Sequence, residues 1–174
     1  MDDALYHVIM AGGSGTRFWP ASRRDRPKQF LALVGADTMI HRTFSRCEGS
    51  GPADRIFVSA GEEHRMQVHK ALPGLPPERF IGEPVARNTA PAVGLSAMTI
   101  FLADREAVAV FCPADHVFTD VAAYHEAITR AVAAARAGDH LVTLGITPAR
   151  PETGYGYIEA AGETDFPGVK RVAR

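Results

Sequence analysis

The stretch from His7 to Gly35, HVIMAGGSGTRFWPASRRDRPKQFLALVG, constrains the fold more than any other. An apolar run, Tyr6 to Ala11, stops at Gly12 and Gly13, and a dozen residues rich in Arg, Lys, Pro and Ser follow before apolar character returns. A short apolar run bounded by glycine reads as a strand buried on both faces. RIFVSA, AVAVFCPA and HLVTLG repeat that pattern at wide intervals. Helical signals lie between the runs. Ile40, Phe44 and Cys47 fall at i, i+4 and i+7 behind Thr38, TAPAVGLSAMTIFLAD follows a Thr89 cap, and Tyr124, Ile128 and Val132 precede Gly138.

Strands alternating with helices require crossover connections, so the pattern predicts an α/β, Rossmann-like fold with a mostly parallel or mixed sheet flanked by helices. Ligands in such folds settle beyond the carboxyl ends of the strands. The residues found there are GGSGTR, GEEH, PADH and GITP. Toward the end, YGYIEA alternates like a strand and PGVKRVAR reads as the start of another. The expectation is one domain over residues 1–174, the amino-terminal part of a larger sheet that is incomplete here.

Composition excludes several function classes. The 46% hydrophobic content over 174 residues supports a globular core rather than disorder. With 19 basic against 20 acidic residues, no bulk charge draws the chain to nucleic acid or to an anionic membrane. The segment MDDALYHV lacks the basic head and apolar stretch of a secretory signal, and no apolar run approaches a bilayer span. Cys47 and Cys112 are too few for a disulfide framework and read as core fillers, which points to a reducing, cytoplasmic setting. Homo-oligomerisation is left open.

The glycine loop matches neither common phosphate fingerprint. A G-x-G-x-x-G frame beginning at Gly13 and Gly15 puts Phe18 at its third glycine and meets Pro20, and no Gly-Lys-Ser or Gly-Lys-Thr occurs anywhere. Glycines at 12, 13 and 15 nevertheless let main-chain N–H groups approach an anion without a Cβ in the way. Arg17 offers a planar charged fork and Lys28 a compact mobile charge behind Pro20 and Pro27. A solvated turn is the bland reading of GGSG alone, and two cations following the same strand end weigh against it.

The run AGGSGTRFWPASRRDRPKQFLAL resembles the G-x-G-x-R…P-K signature of sugar-nucleotide pyrophosphorylases. Trp19 to Arg23 together with Lys28-Gln29-Phe30 resemble its mannose-1-phosphate guanylyltransferase branch, as do GEPVARNTAPAV, PADH and TGYGYIE, all in family order. The resemblance implies transfer of a guanylyl group from GTP to mannose 1-phosphate, giving GDP-mannose and pyrophosphate with Mg2+. By that resemblance Arg17 and Lys28 are catalytic and Asp115 holds the metal. The resemblance likewise implies that Gly12, Gly13, Ser14, Gly15, Thr16, Glu83, Arg87, Asn88 and Thr89 would contact the nucleotide, and Gly154 and Glu159 the sugar.

Each residue also has a structural reading. Thr89 caps a helix with or without a base bound, and Asp115 can cap the segment after Pro113. His116 lacks a second ligand at suitable spacing. Arg23 to Arg26 form a charged face, and Glu62, Glu63 and His64 suit the first turn of a helix. Two rival functions stand beside the enzyme: a GTP-binding or sugar-nucleotide-binding module without turnover, and a nicotinamide-dependent oxidoreductase, against which the missing third glycine argues.

Overall fold

The computed structural model describes residues 4–13, 19–23 and 26–174. Two compact units divide the chain, Met1–Val121 and Ala122–Arg174.

In the first unit, β1 (Leu5–Met10), β2 (Ile56–Gly61), β3 (Phe80–Glu83) and β4 (Val108–Pro113) form one parallel sheet in the order β3-β2-β1-β4. The predicted apolar runs supply β1, β2 and β4. Proline-flanked β3 was not anticipated, since its four residues, FIGE, carry too short an apolar signal. Three helices accompany the sheet: α1 (Met39–Glu48), α2 (Arg65–Ala71) and α3 (Thr89–Ala103).

Side chains alternate between faces along a strand, and two separate apolar layers result. Ile9, Ile56, Val58, Phe80 and Cys112 meet Ile40 and Cys47 of α1 and Val68 of α2 on one face. Tyr6, Val8, Phe57 and Ile81 meet Ile100 of α3 on the other. Val8, Ile9, Ile56 and Val58 are fully buried, and burying each contributes about 1.5–3 kcal/mol. That two-sided burial is why the runs read as continuously apolar.

Thr38 caps α1, its Oγ1 accepting from the His41 N–H at 3.3 Å. At α3 the cap position belongs to Asn88 instead of Thr89, and Asn88 makes no side-chain cap bond. Its φ of 63° is the one positive value among the described non-glycine residues. Cys47 and Cys112 are free and buried, as expected. A hydrogen bond with Cys112 and burial push the Cys47 thiol well up, so it stays protonated.

The second unit holds most of α4 (Val121–Arg136), on which Tyr124, Ile128 and Val132 are buried as their spacing predicted. It also holds a two-stranded antiparallel ladder of β5 (Ala160–Glu163) and β6 (Lys170–Val172), with an irregularity between Ala161 and Glu163. The carboxyl-terminal strand was expected. The preceding one begins at Ala160, later than YGYIEA suggested, because Tyr157 folds back on Glu152, accepting from its N–H at 2.8 Å and donating to its carbonyl at 3.0 Å.

HLVTLG departs from expectation. Residues 140–145 form no strand and are exposed, Leu141 completely so. A strand needs a neighbour for its N–H and C=O groups, and among the described residues none pairs with this segment. Among the described residues, no helix is long and apolar enough to cross a membrane.

Candidate functional site

Chain order reverses direction across the sheet at β1, which lies between β2 and β4. The carboxyl ends of these strands align, with Met10 opposite both Ser59 and Pro113. Whatever follows β1 and β4 therefore converges on one crevice, the place where ligands bind in open parallel sheets. Gly12 and Gly13 follow β1 and Asp115 follows β4.

Gly13 adopts φ 106°, and a Cβ built there would meet nothing within 4 Å. Backbone conformation, more than space, thus calls for glycine at this position. Ser14, Gly15, Thr16 and Arg17 lie outside the described residues.

The departure of the loop from β1 is pinned on both sides of Ala11. Its N–H donates to the Ser59 carbonyl at 2.8 Å, and its carbonyl accepts from Gln29 Nε2 at 2.6 Å. Gln29 is buried, in the 3-10 turn Lys28–Phe30. The same turn carries Lys28, so one side chain ties the strand end to the element bearing the cation. Sequence reading gave Gln29 no role. Its signal was membership of the Lys28-Gln29-Phe30 motif, which carried the family resemblance but no role for this residue.

Lys28 Nζ forms an ion pair with Asp115 Oδ2 in which both side chains are mostly covered. Burial alone would raise the Asp115 carboxyl. The hydrogen bond and charge of Lys28, with lesser help from His116, outweigh it and hold the group below the ordinary carboxylate value. Behind Asp115, Arg46 donates to Thr43 Oγ1 at 3.1 Å, and Thr43 Oγ1 donates to the Ala114 carbonyl at 3.4 Å. The Arg46 guanidinium also lies 4.6 Å from the Phe118 ring centre. This buried relay fixes the main chain next to the carboxylate.

Asp115 was expected to hold Mg2+. Among the described residues, no group of three or more His, Cys, Asp or Glu side chains could cage a metal. One mostly covered carboxylate fits the usual habit of Mg2+, which takes one or two protein carboxylates and completes its shell with phosphate and water. Asp115 therefore suits an ion that arrives with a polyphosphate.

On the other side of β1, Glu83 ends β3, and Ser59 Oγ donates to its Oε1 at 3.0 Å. A Cβ on Gly12 would stand 3.6 Å from that same oxygen, so the carboxylate flanks the start of the glycine loop. Arg87, Asn88 and Thr89 continue from β3 into α3 and are exposed. A positive φ at a non-glycine residue costs about 1–3 kcal/mol and gathers at functional sites, which marks Asn88 within this group.

Gly154 and Glu159 belong to the second unit. Gly154 donates its N–H to Glu152 Oε1 at 3.1 Å. Glu159 exchanges backbone bonds with Arg174 and Ala173, and its carboxylate is 3.5 Å from the Arg174 guanidinium.

A glycine-lined strand end, a lysine–aspartate pair and flanking polar groups thus meet at the reversal point of a parallel α/β sheet. The chain belongs to the nucleotidyl transferase family, whose profile matches residues 6–173. It is 44% identical over 168 residues to the alginate biosynthesis protein AlgA of Pseudomonas aeruginosa, covering 95% of this chain and 34% of that protein. It is 43% identical over 157 residues to the mannose-1-phosphate guanylyltransferase of Escherichia coli, covering 89% of this chain and 33% of that protein. The chain thus spans about a third of the length of these curated relatives. A crystal structure from Thermus thermophilus, described as a mannose-1-phosphate geranyltransferase, superposes with a TM-score of 0.82 at 36% identity, covering 93% of this chain and 47% of that one.

Proposed function

We infer that this domain transfers a guanylyl group from GTP to mannose 1-phosphate, forming GDP-mannose and releasing pyrophosphate. The observation that carries the reading is the Lys28–Asp115 pair at the sheet's reversal point, beside the glycine-lined end of β1. Likeness to proteins named mannose-1-phosphate guanylyltransferase supports the choice of substrates.

The chemistry asks for alignment more than activation. A phosphate oxygen of the sugar phosphate attacks the α-phosphorus, the bond from that phosphorus to the bridging oxygen breaks, and pyrophosphate leaves with the electron pair. Because the nucleophile is already anionic, the protein must orient it and offset the charge spreading over the phosphoryl oxygens.

Lys28 supplies a mobile ammonium for those oxygens, and Asp115 holds it in place. Arg17 is assigned the triphosphate and the departing pyrophosphate. Gly12 to Thr16 present main-chain N–H groups to the nucleotide, and Glu83 with Arg87, Asn88 and Thr89 form the side that meets the base. Gly154 and Glu159 are assigned to the sugar. Asp115 would hold Mg2+, which when bound supplies Lewis-acid neutralisation of the phosphates.

The test is pyrophosphate release. Turnover is expected only when GTP, mannose 1-phosphate and Mg2+ are all present, and no turnover with any pairing in a panel of nucleoside triphosphates and sugar phosphates would refute the reading. GTP binding in calorimetry without pyrophosphate release would instead favour a nucleotide-binding module.

A further inference from the structure

We propose that Ser59 is a positioning residue for base selection, presetting the Glu83 carboxylate to recognise the adjacent N1–H and N2–H donors of guanine. The inference rests on the GTP-binding reading above and names the group that sharpens it.

Ser59 and Ile81 are partners in the β2–β3 register, and Glu83 lies two residues beyond Ile81. Side chains two apart share a sheet face, so Ser59, Ile81 and Glu83 all point to the α3 side. Ser59 is fully buried and Glu83 is half-buried at the strand end. The hydroxyl spends its proton on Glu83 Oε1, although a buried serine on a central strand could equally turn to its own backbone. Among the described residues, Oε2 has no hydrogen-bond partner. The carboxylate is thus held at Oε1, the oxygen that lies 3.6 Å from where a Cβ on Gly12 would stand, and Oε2 stays available among the described residues.

An ionised carboxylate only accepts. Guanine offers it two neighbouring donors, whereas adenine places an unprotonated ring nitrogen there, which a carboxylate repels. Hypoxanthine keeps N1–H and lacks the N2 amine. Fixing the carboxylate before binding removes the ordering cost that a freely rotating glutamate would carry into the complex, so the hydroxyl contributes to discrimination without touching the base.

The experiment compares Mg-GTP and Mg-ITP binding to the full chain by calorimetry. The parent is expected to bind GTP about 10–100-fold more tightly, the scale of one hydrogen bond to a charged group. In Ser59→Ala the GTP/ITP ratio should shrink by about tenfold, chiefly through weaker GTP binding, and Ser59→Thr, which restores the hydroxyl, should recover it. In a Glu83→Gln background, Ser59→Ala should change the ratio no further, because its effect runs through the carboxylate. If Ser59→Ala does not fold, Ser59→Cys keeps the volume and loses the strong donor. An unchanged ratio, or equal weakening of both nucleotides, overturns the role of Ser59 while leaving GTP binding intact. Failure of the parent chain to bind GTP refutes the underlying reading, and this inference with it.

Discussion

The end of β4 and the segment after α4 start from similar sequence material and finish differently. AVAVFCPA and HLVTLG are both apolar runs, yet the first becomes a strand beside β1 and the second lies exposed without a ladder. Each β4 residue from Val108 to Pro113 has a partner in β1, whereas residues 140–145 have none among the described residues. An apolar run therefore records a preference for burial, and only a neighbouring strand converts it into structure. The chemistry follows the same division. Lys28 pairs with Asp115, and Glu83 flanks Gly12, where strand partners are complete.

Core truncation should widen that contrast most. Ile56→Ala in β2 removes a fully buried side chain from the apolar layer shared with Ile40 and Cys47 of α1 and should cost about 2–5 kcal/mol in denaturant unfolding. Leu141→Ala touches an exposed side chain and should stay within about 0.5 kcal/mol. Equal losses would mean that residues 140–145 are as well packed as β2, and the comparison would collapse.

Activity should divide the same way. Lys28→Ala should slow pyrophosphate release about a hundredfold or more, as for the loss of one preorganised charge-stabilising group. Substituting the exposed Leu144 by Ser should leave the rate within about twofold, since surface changes away from a site are usually near neutral. A Lys28→Ala variant as fast as the parent would remove the lysine from the mechanism. Arg17→Ala is expected to show a loss similar to that of Lys28→Ala.

How far the sequence could be read follows from what each signal records. Periodicity located β1, β2, β4, α1, α3 and α4 because burial of their apolar faces is written into neighbouring residues. Strand β3 escaped because FIGE is shorter than any reliable period. Lys28 and Asp115 were both found as residues, but their pairing spans 87 positions and no local pattern carries it. Gln29 and Ser59 were missed for a related reason: each is polar, buried and defined by a distant partner, Ala11 or Glu83. The strand expected at HLVTLG failed in the opposite direction, from a genuine local preference without a mate. Base and sugar assignments came from family likeness, since spacing alone distinguishes neither guanine nor mannose.

The smallest effect concerns pH, and its dependence on Lys28 separates a functional pair from a decorative one. Asp115 titrates below its ordinary value of 3.8 in the folded chain. A depressed carboxyl stabilises the fold fully above the unfolded value, and that contribution disappears as pH falls through the lower folded value. Unfolding free energy should therefore decline in the acid range from this group. Its magnitude should be on the order of 1 kcal/mol or less, given the partial exposure of the pair. In Lys28→Met the attraction is gone while burial remains, and burial favours the neutral acid. The Asp115 carboxyl should then titrate higher than in the parent, with His116 and its backbone hydrogen bond still opposing burial, and its acid-range contribution should shrink. Carboxyl chemical shifts of Asp115 in the two proteins would check this directly. An Asp115 titration that Lys28→Met leaves unmoved would mean that the lysine does not govern the carboxylate, and the crevice at β1 and β4 would lose its central contact.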